Sequence, residues 1–174
     1  MSDNETSIIT AKSAWMQTKF GMFYAVAFQF SNSLEVALIK GKGNVPVLRI
    51  QSACLPSTAL NSTMCDCYSQ ICKAQSYISE VEFGILIYLI DQEARGHGLL
   101  GKMDVMRMMN NEISLLEAQK LAGRASDLRT YEKIPPILSH LGIAQVDLLT
   151  NNSSKVEKIK EYGVQVRRTV QFNF

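Results

Sequence analysis

The sequence predicts an α/β protein: a mixed, partly parallel sheet with helices on both faces and antiparallel strands at its N-terminal end. Three observations lead there. The C-terminal segment reads strand, helix, strand, a βαβ unit whose two strands run parallel. Phe83 to Ile90 is a continuous apolar run with a single glycine, the pattern of a strand buried on both faces. Gly21 to Lys40 alternates, turns at Ser31-Asn32-Ser33 and returns, as an antiparallel hairpin does.

Taken in order, Gly21 to Phe30 is a strand in which Met22, Tyr24, Val26, Phe28 and Phe30 share one parity. Leu34 to Lys40 is its returning partner. Gly41-Lys42-Gly43-Asn44 breaks the chain, and Val45 to Ile50 is the next strand. From Asp66 to Glu80 the period becomes helical, with Cys67, Ile71, Ala74 and Ile78 on one stripe. After the buried strand comes a polar loop, Asp91 to Gly98. Helices follow over Leu99 to Met109, Ser114 to Ala122 and Tyr131 to Leu141, the last opened by Pro135-Pro136 and closed by Gly142. Gln145 to Leu149 is a strand, Thr150 to Ser153 a turn of capping residues, Lys155 to Tyr162 a helix ended by Gly163, and Val164 to Val170 a strand.

A chain of 174 residues reads as a single domain, 1–174, large enough to bury ~70% of its unfolded surface. At 47% hydrophobic and 20% charged it is not a disordered chain. No apolar run approaches the ~20 residues of a membrane helix. Eighteen basic and 16 acidic side chains leave a net charge of +2, too balanced to imply nucleic acid as a partner. Met1 to Thr6 is polar and acidic, without an export signal, so a reducing cytoplasm is expected.

In that compartment clustered cysteines point to metal or redox chemistry before disulfides. Cys54, Cys65, Cys67 and Cys72 lie close together in sequence. Cys65 and Cys67, two positions apart, cannot both point inward from a regular helix, but they can from a tight loop before one. Three thiolates with a fourth position open describe a catalytic zinc site, and four a closed structural one. Cys72 falls inside the helix, which favours three. Thr150 to Lys155 places hydroxyls, amides and a lysine at a strand-to-helix junction, which suits phosphate or is an ordinary cap with a solvated lysine. Glu93-x-Arg95-Gly96-x-Gly98 follows the buried strand, where ligand loops of open α/β sheets sit. Asp127-x-Arg129 is an acid–base pair or a solvated one.

Together, Arg49-x-x-Ser52-x-Cys54, Cys65-Asp66-Cys67-x-x-Gln70, Gly84-Ile85-Leu86-Ile87-Tyr88-Leu89, Gln92-Glu93-x-Arg95, Gly98-Leu99-Leu100-x-Lys102, Ala125-x-Asp127-x-Arg129 and Leu148-Leu149-Thr150-Asn151-Asn152-x-x-Lys155 resemble the GTP cyclohydrolase II family, in order, from about Val45 to Val170. The resemblance implies a hydrolase of riboflavin biosynthesis that opens the imidazole ring of GTP at C8 and releases formate and pyrophosphate. It implies one zinc ion per chain on Cys54, Cys65 and Cys67, activating a water. It places Asp127 and Arg129 in catalysis, Arg129 as nucleophile at the α-phosphate; a protonated guanidinium is a poor nucleophile, so a clamp on the phosphoryl group is the other role. Arg49, Ser52, Gln70, Glu93, Arg95, Thr150 and Lys155 would contact nucleotide. Magnesium would accompany the triphosphate, and the assembly would be a homodimer.

The chain departs from that pattern. A family glutamate is Ala53, an arginine is Met64, a glycine is Tyr68, a threonine is Leu115 and a tyrosine is Met106. The metal ligands and the Asp127–Arg129 pair remain. The changes therefore leave open an altered product that keeps the formamide, with Met106 as the product-determining candidate. They also leave open a different nucleotide, a nucleotide-binding paralogue without turnover, or a structural zinc protein using all four thiolates.

Overall fold

The computed structural model describes residues 6–109 and 113–171. Seven strands form one sheet: β1 (Thr10–Thr18), β2 (Gly21–Gln29), β3 (Leu34–Gly41), β4 (Val47–Ser52), β5 (Phe83–Leu89), β6 (Gln145–Leu149) and β7 (Gln165–Val170). Their spatial order is β1-β2-β3-β5-β4-β6-β7. β1, β2, β3 and β5 pair antiparallel, while β5, β4, β6 and β7 pair parallel. The mixed sheet and its antiparallel N-terminal strands match the sequence reading. So does the βαβ unit, in which α6 (Ser153–Glu161) joins β6 to β7.

Helices cover both faces. α2 (Cys67–Glu80) lays Ala74 and Ile78 on Phe23, Ala25, Leu38, Leu86 and Leu149. On the other face α5 (Ile134–His140) and α6 bring Ile134, Ile137, Leu138 and Ile159 against Phe28, Phe30, Ile50, Ile85, Ile87 and Leu148. β5 sits between both layers, so its alternate side chains feed two cores, and this is why it reads as continuous apolar sequence. Gly84 is part of that packing: a Cβ there would stand 2.9 Å from the Ile78 and Val81 side chains.

Three local readings differ from the structure. β1 was not expected. It is an edge strand exposed along nearly its whole length, so neither face imprints an apolar alternation. The single parity in β2 holds only for its second half: Val26 and Phe28 are buried with Phe30 beyond, but Met22 and Tyr24 are exposed and Phe23 and Ala25 face the opposite core. The fourth strand starts after Pro46, at Val47. Two smaller helices, α3 (Gly98–Met109) and α4 (Leu115–Leu121), pack on each other beside the turn after β5. A four-residue helix, α1 (Leu55–Thr58), follows β4.

Candidate active site

The carboxyl ends of β4, β5 and β6 open into a cavity of about 420 Å³. At its centre are three thiols. Cys54 ends the extension of β4, with its backbone N–H 3.4 Å from the Tyr88 hydroxyl. Cys65 and Cys67 come from the turn just before α2 and its first residue, so both reach Cys54. The Cys54 and Cys65 sulfurs lie 3.6 Å apart, and all three sulfurs lie within 4.8 Å of one another. Cys72 is outside the group and faces the Lys19 ammonium from the β1–β2 turn. Cys67 hydrogen bonds to Cys54, which lowers the Cys54 thiol to about 5 and pushes Cys67 up. A soft, partly deprotonated three-sulfur cluster fits zinc, so the residues present suit the metal that the sequence implies.

Two further groups attend the thiols. Lys102 of α3 places its ammonium 3.8 Å from the Cys65 sulfur. Burial opposes its charge, but Cys54, Cys65, Cys67 and Glu93 outweigh it and raise its pKa. Glu93 accepts a 2.6 Å hydrogen bond from the Leu55 N–H through Oε2, while Oε1 is buried without a partner. Burial raises its pKa. The turn carrying it, Ile90–Gly96, is 3-10-like but kinked, with Ala94 and Arg95 at φ of 51° and 59°. Left-handed backbone at two successive non-glycine residues costs energy, and it sets both residues against the cavity.

On the β6 side three cations converge. Lys155 on α6 is buried and donates to the Ile50 carbonyl at 2.8 Å. Burial, then Arg49 and Arg129, lower its pKa to about 7. Arg49 donates to Gln51 Oε1 at 2.8 Å, to Gln70 Oε1 at 3.3 Å and to the Leu149 carbonyl at 3.3 Å. Burial brings it to about 10, so it stays charged at neutral pH. Arg129 is held bidentately by Asp127, at 2.9 and 2.6 Å. That pairing raises Arg129 and holds Asp127 at about 2. At the N-terminus of α6 the cap is Asn152, whose Oδ1 accepts from the Lys155 N–H at 3.1 Å. The Asn152 N–H in turn donates to the Thr150 hydroxyl oxygen at 3.2 Å. Lys155 is thus neither a cap nor a solvated lysine; its side chain turns inward.

Of the residues expected from sequence, Arg49, Ser52, Cys54, Cys65, Cys67, Gln70, Glu93, Arg95, Arg129, Thr150 and Lys155 all line this cavity. Asp127 stands behind Arg129. Met106 is half-buried on α3 and is not among the lining residues, whereas its neighbour Val105 is. Ala53 and Leu115 are in the wall. Gln92, quoted above only within a motif, and Gln119 and Arg124, which the sequence did not single out, also line the cavity. A signal existed for Gln119: it is four residues after Leu115, on the same helical face as a leucine that was already suspected.

Clustered thiols beside buried cations and a helix N-terminus, at the carboxyl edge of parallel strands, define an α/β protein whose site could hold a metal and an anion together. Comparison with known proteins makes the class specific. The family profile described as GTP cyclohydrolase II matches residues 9–171. The GTP cyclohydrolase-2 of Shewanella amazonensis is 40% identical over 156 residues, covering 87% of this chain and 76% of the relative. That of Histophilus somni is 39% identical over 165 residues, covering 92% and 76%. This chain belongs to the GTP cyclohydrolase II family. Among solved structures, a two-domain 3,4-dihydroxy-2-butanone 4-phosphate synthase from A. baumannii aligns over 96% of this chain and 42% of its own, with 16% identity and a TM-score of 0.42.

Proposed function

We propose that this chain is a zinc-dependent GTP cyclohydrolase II-type hydrolase: it opens the imidazole ring of GTP at C8 and releases pyrophosphate. The observation that carries the reading is the meeting of the three thiols with Arg49, Arg129 and Lys155 around one cavity. Cys54, Cys65 and Cys67 would hold the zinc. Bound there, it supplies Lewis acidity that makes a water nucleophilic near neutral pH.

The chain's own residues do the rest. Arg49, Lys155 and the N-terminus of α6 bind the phosphates. Arriving negative charge relieves the repulsion among the cations and draws a proton onto Lys155. Arg129 is a clamp on the α-phosphate rather than its nucleophile, because Asp127 keeps the guanidinium protonated. Glu93, with its pKa raised and one oxygen unpartnered, holds or delivers a proton near the ring being opened. Gln70 braces Arg49, and Ser52, Arg95 and Thr150 complete the contacts to nucleotide. Magnesium enters with the triphosphate. The reading takes 1–174 as one domain working as a homodimer in the cytoplasm. Among the described residues no helix is long and apolar enough to cross a membrane.

The test is to incubate the zinc-loaded chain with GTP and read pyrophosphate, formate and the mass of the purine product. Ring-opened product with one pyrophosphate per turnover is expected. Unchanged GTP, with zinc bound and the chain folded, overturns the reading. A second outcome has a specific observation behind it. Among the described residues no tyrosine or histidine lines the cavity, so its wall offers no phenol or imidazole to hold the formamide for the second hydrolysis. We therefore expect the product to keep the formyl carbon. Stoichiometric formate rejects that part alone.

A further inference from the structure

Sheet order fixes what lies where along the cavity. β6 and α6 bring Thr150 and Lys155, β4 brings Cys54 in the middle, and β5 runs into the turn carrying Gln92 and Glu93. α3 packs on that turn and α4 on α3, and both contribute residues to the cavity wall. Val105 and Leu115 are the apolar members of this wall, beside Lys102 and Arg124. Set into it is Gln119, 9% exposed, whose Oε1 has no hydrogen-bond partner. Gln92, 7% exposed, likewise leaves its Oε1 unpartnered. Ser114 caps α4 by accepting from the Glu117 N–H at 3.2 Å, which fixes the helical register that turns Gln119 inward. Beyond it, Arg124 is held by Asp104 at 3.0 Å, with its Nε buried and unpartnered.

Buried acceptors left without a partner are costly until a ligand supplies donors. We propose that Gln119, assisted by Gln92, reads the nucleobase edge and selects guanine, Oε1 accepting from the ring N1–H and the exocyclic 2-amino group. Guanine presents those donors together. Adenine presents a ring acceptor at the same place and no 2-amino group, and would leave an acceptor unpaired. The phosphates then extend across the thiols toward Lys155. This inference deepens the proposed GTP chemistry and rests on it. It assigns the base edge to two glutamines of this chain, and Gln119 is a specificity residue rather than a catalytic one.

The experiment compares calorimetric dissociation constants of the full chain for GTP, ITP (guanine without its 2-amino group) and ATP. GTP is expected to bind about tenfold or more tightly than ITP, the cost of one unmet buried hydrogen bond, with ATP weaker again. Gln119→Leu should equalise GTP and ITP, while Gln119→Glu, which keeps an acceptor oxygen, should retain the preference. A purely structural role for Gln119 would shift all three nucleotides together. Equal GTP and ITP affinities in the unmodified chain, or an unchanged ratio in Gln119→Leu, overturn the inference and leave the proposed reaction standing. Failure of GTP to bind at all overturns both.

Discussion

Lys155 carries a charge that its surroundings oppose, and this makes it measurable. Its folded pKa, about 7, lies below the ordinary lysine value of 10.5. Between those limits the unfolded chain binds the extra proton, so ligand-free stability should rise as pH goes from 7 toward 10. Thermal melts of the chain and of Lys155→Met across that range test this: the variant should lose most of the slope. Pyrophosphate should flatten it as well, because a bound polyanion restores the ammonium. Lys155→Ala should weaken nucleotide binding tenfold or more, whereas an unchanged dissociation constant would remove Lys155 from the phosphate site. The thiols make a second residue-scale prediction. Metal analysis should find one zinc per chain, lost when Cys54, Cys65 or Cys67 is replaced by Ser and kept in Cys72→Ser, since Cys72 lies outside the cluster.

At the scale of elements, short pieces aim the site. α4 has only seven residues and one side-chain cap, Ser114. Ser114→Ala should cost about 1 kcal/mol and raise KM for the nucleotide more than it lowers kcat, because it loosens the register of Gln119 without touching the thiols. β3 ends at Gly41, with φ of +69°, where a Cβ would stand 1.8 Å from the Glu82 carbonyl oxygen. No side chain rotation relieves a backbone clash. Gly41→Ala should therefore destabilise by at least about 2 kcal/mol in chemical denaturation, well beyond an ordinary surface change.

For the whole molecule the informative feature is an ionic knot behind the site. Lys133, just before α5, pairs with Asp91 in the turn after β5, donates to Ser33 Oγ at 2.7 Å and stands 3.5 Å from Glu35. Glu35 is fully buried at the start of β3 and accepts from the Ile90 N–H at 2.7 Å. Burial, then Asp91, raises its pKa to about 7. One lysine thus ties the β2–β3 hairpin, α5 and the turn that presents Glu93 and Arg95. Lys133→Met should cost about 3 kcal/mol by stranding Glu35, and Glu35→Leu in the same chain should recover much of it. Additive losses in the double variant would mean that the two residues do not act as a pair.

What the sequence determined by itself is what repeats locally. Period two and the turn at Ser31-Asn32-Ser33 specify the hairpin, the continuous run of Phe83 to Leu89 specifies a strand between two layers, and Cys67, Ile71, Ala74 and Ile78 specify which side of α2 meets the sheet. The thiol spacing favoured three ligands over four, because Cys72 falls inside the helix, and it is the tertiary geometry that leaves Cys72 outside the cluster. The tertiary structure decided what local pattern does not encode. β1 has both faces in water and so no pattern to read. β5 slips between β3 and β4, and that order brings the turn after β5, the thiols after β4 and the lysine after β6 to one edge of the sheet. Gln119 and Lys102 come from a helix pair far along the chain, and an exposed amide and a buried one look alike as letters. Lys155 reads as a phosphate contact or as a solvated lysine, and only packing turns it inward. Burial is a property of the whole fold, and it is burial that gives these polar groups their free energy and their chemistry.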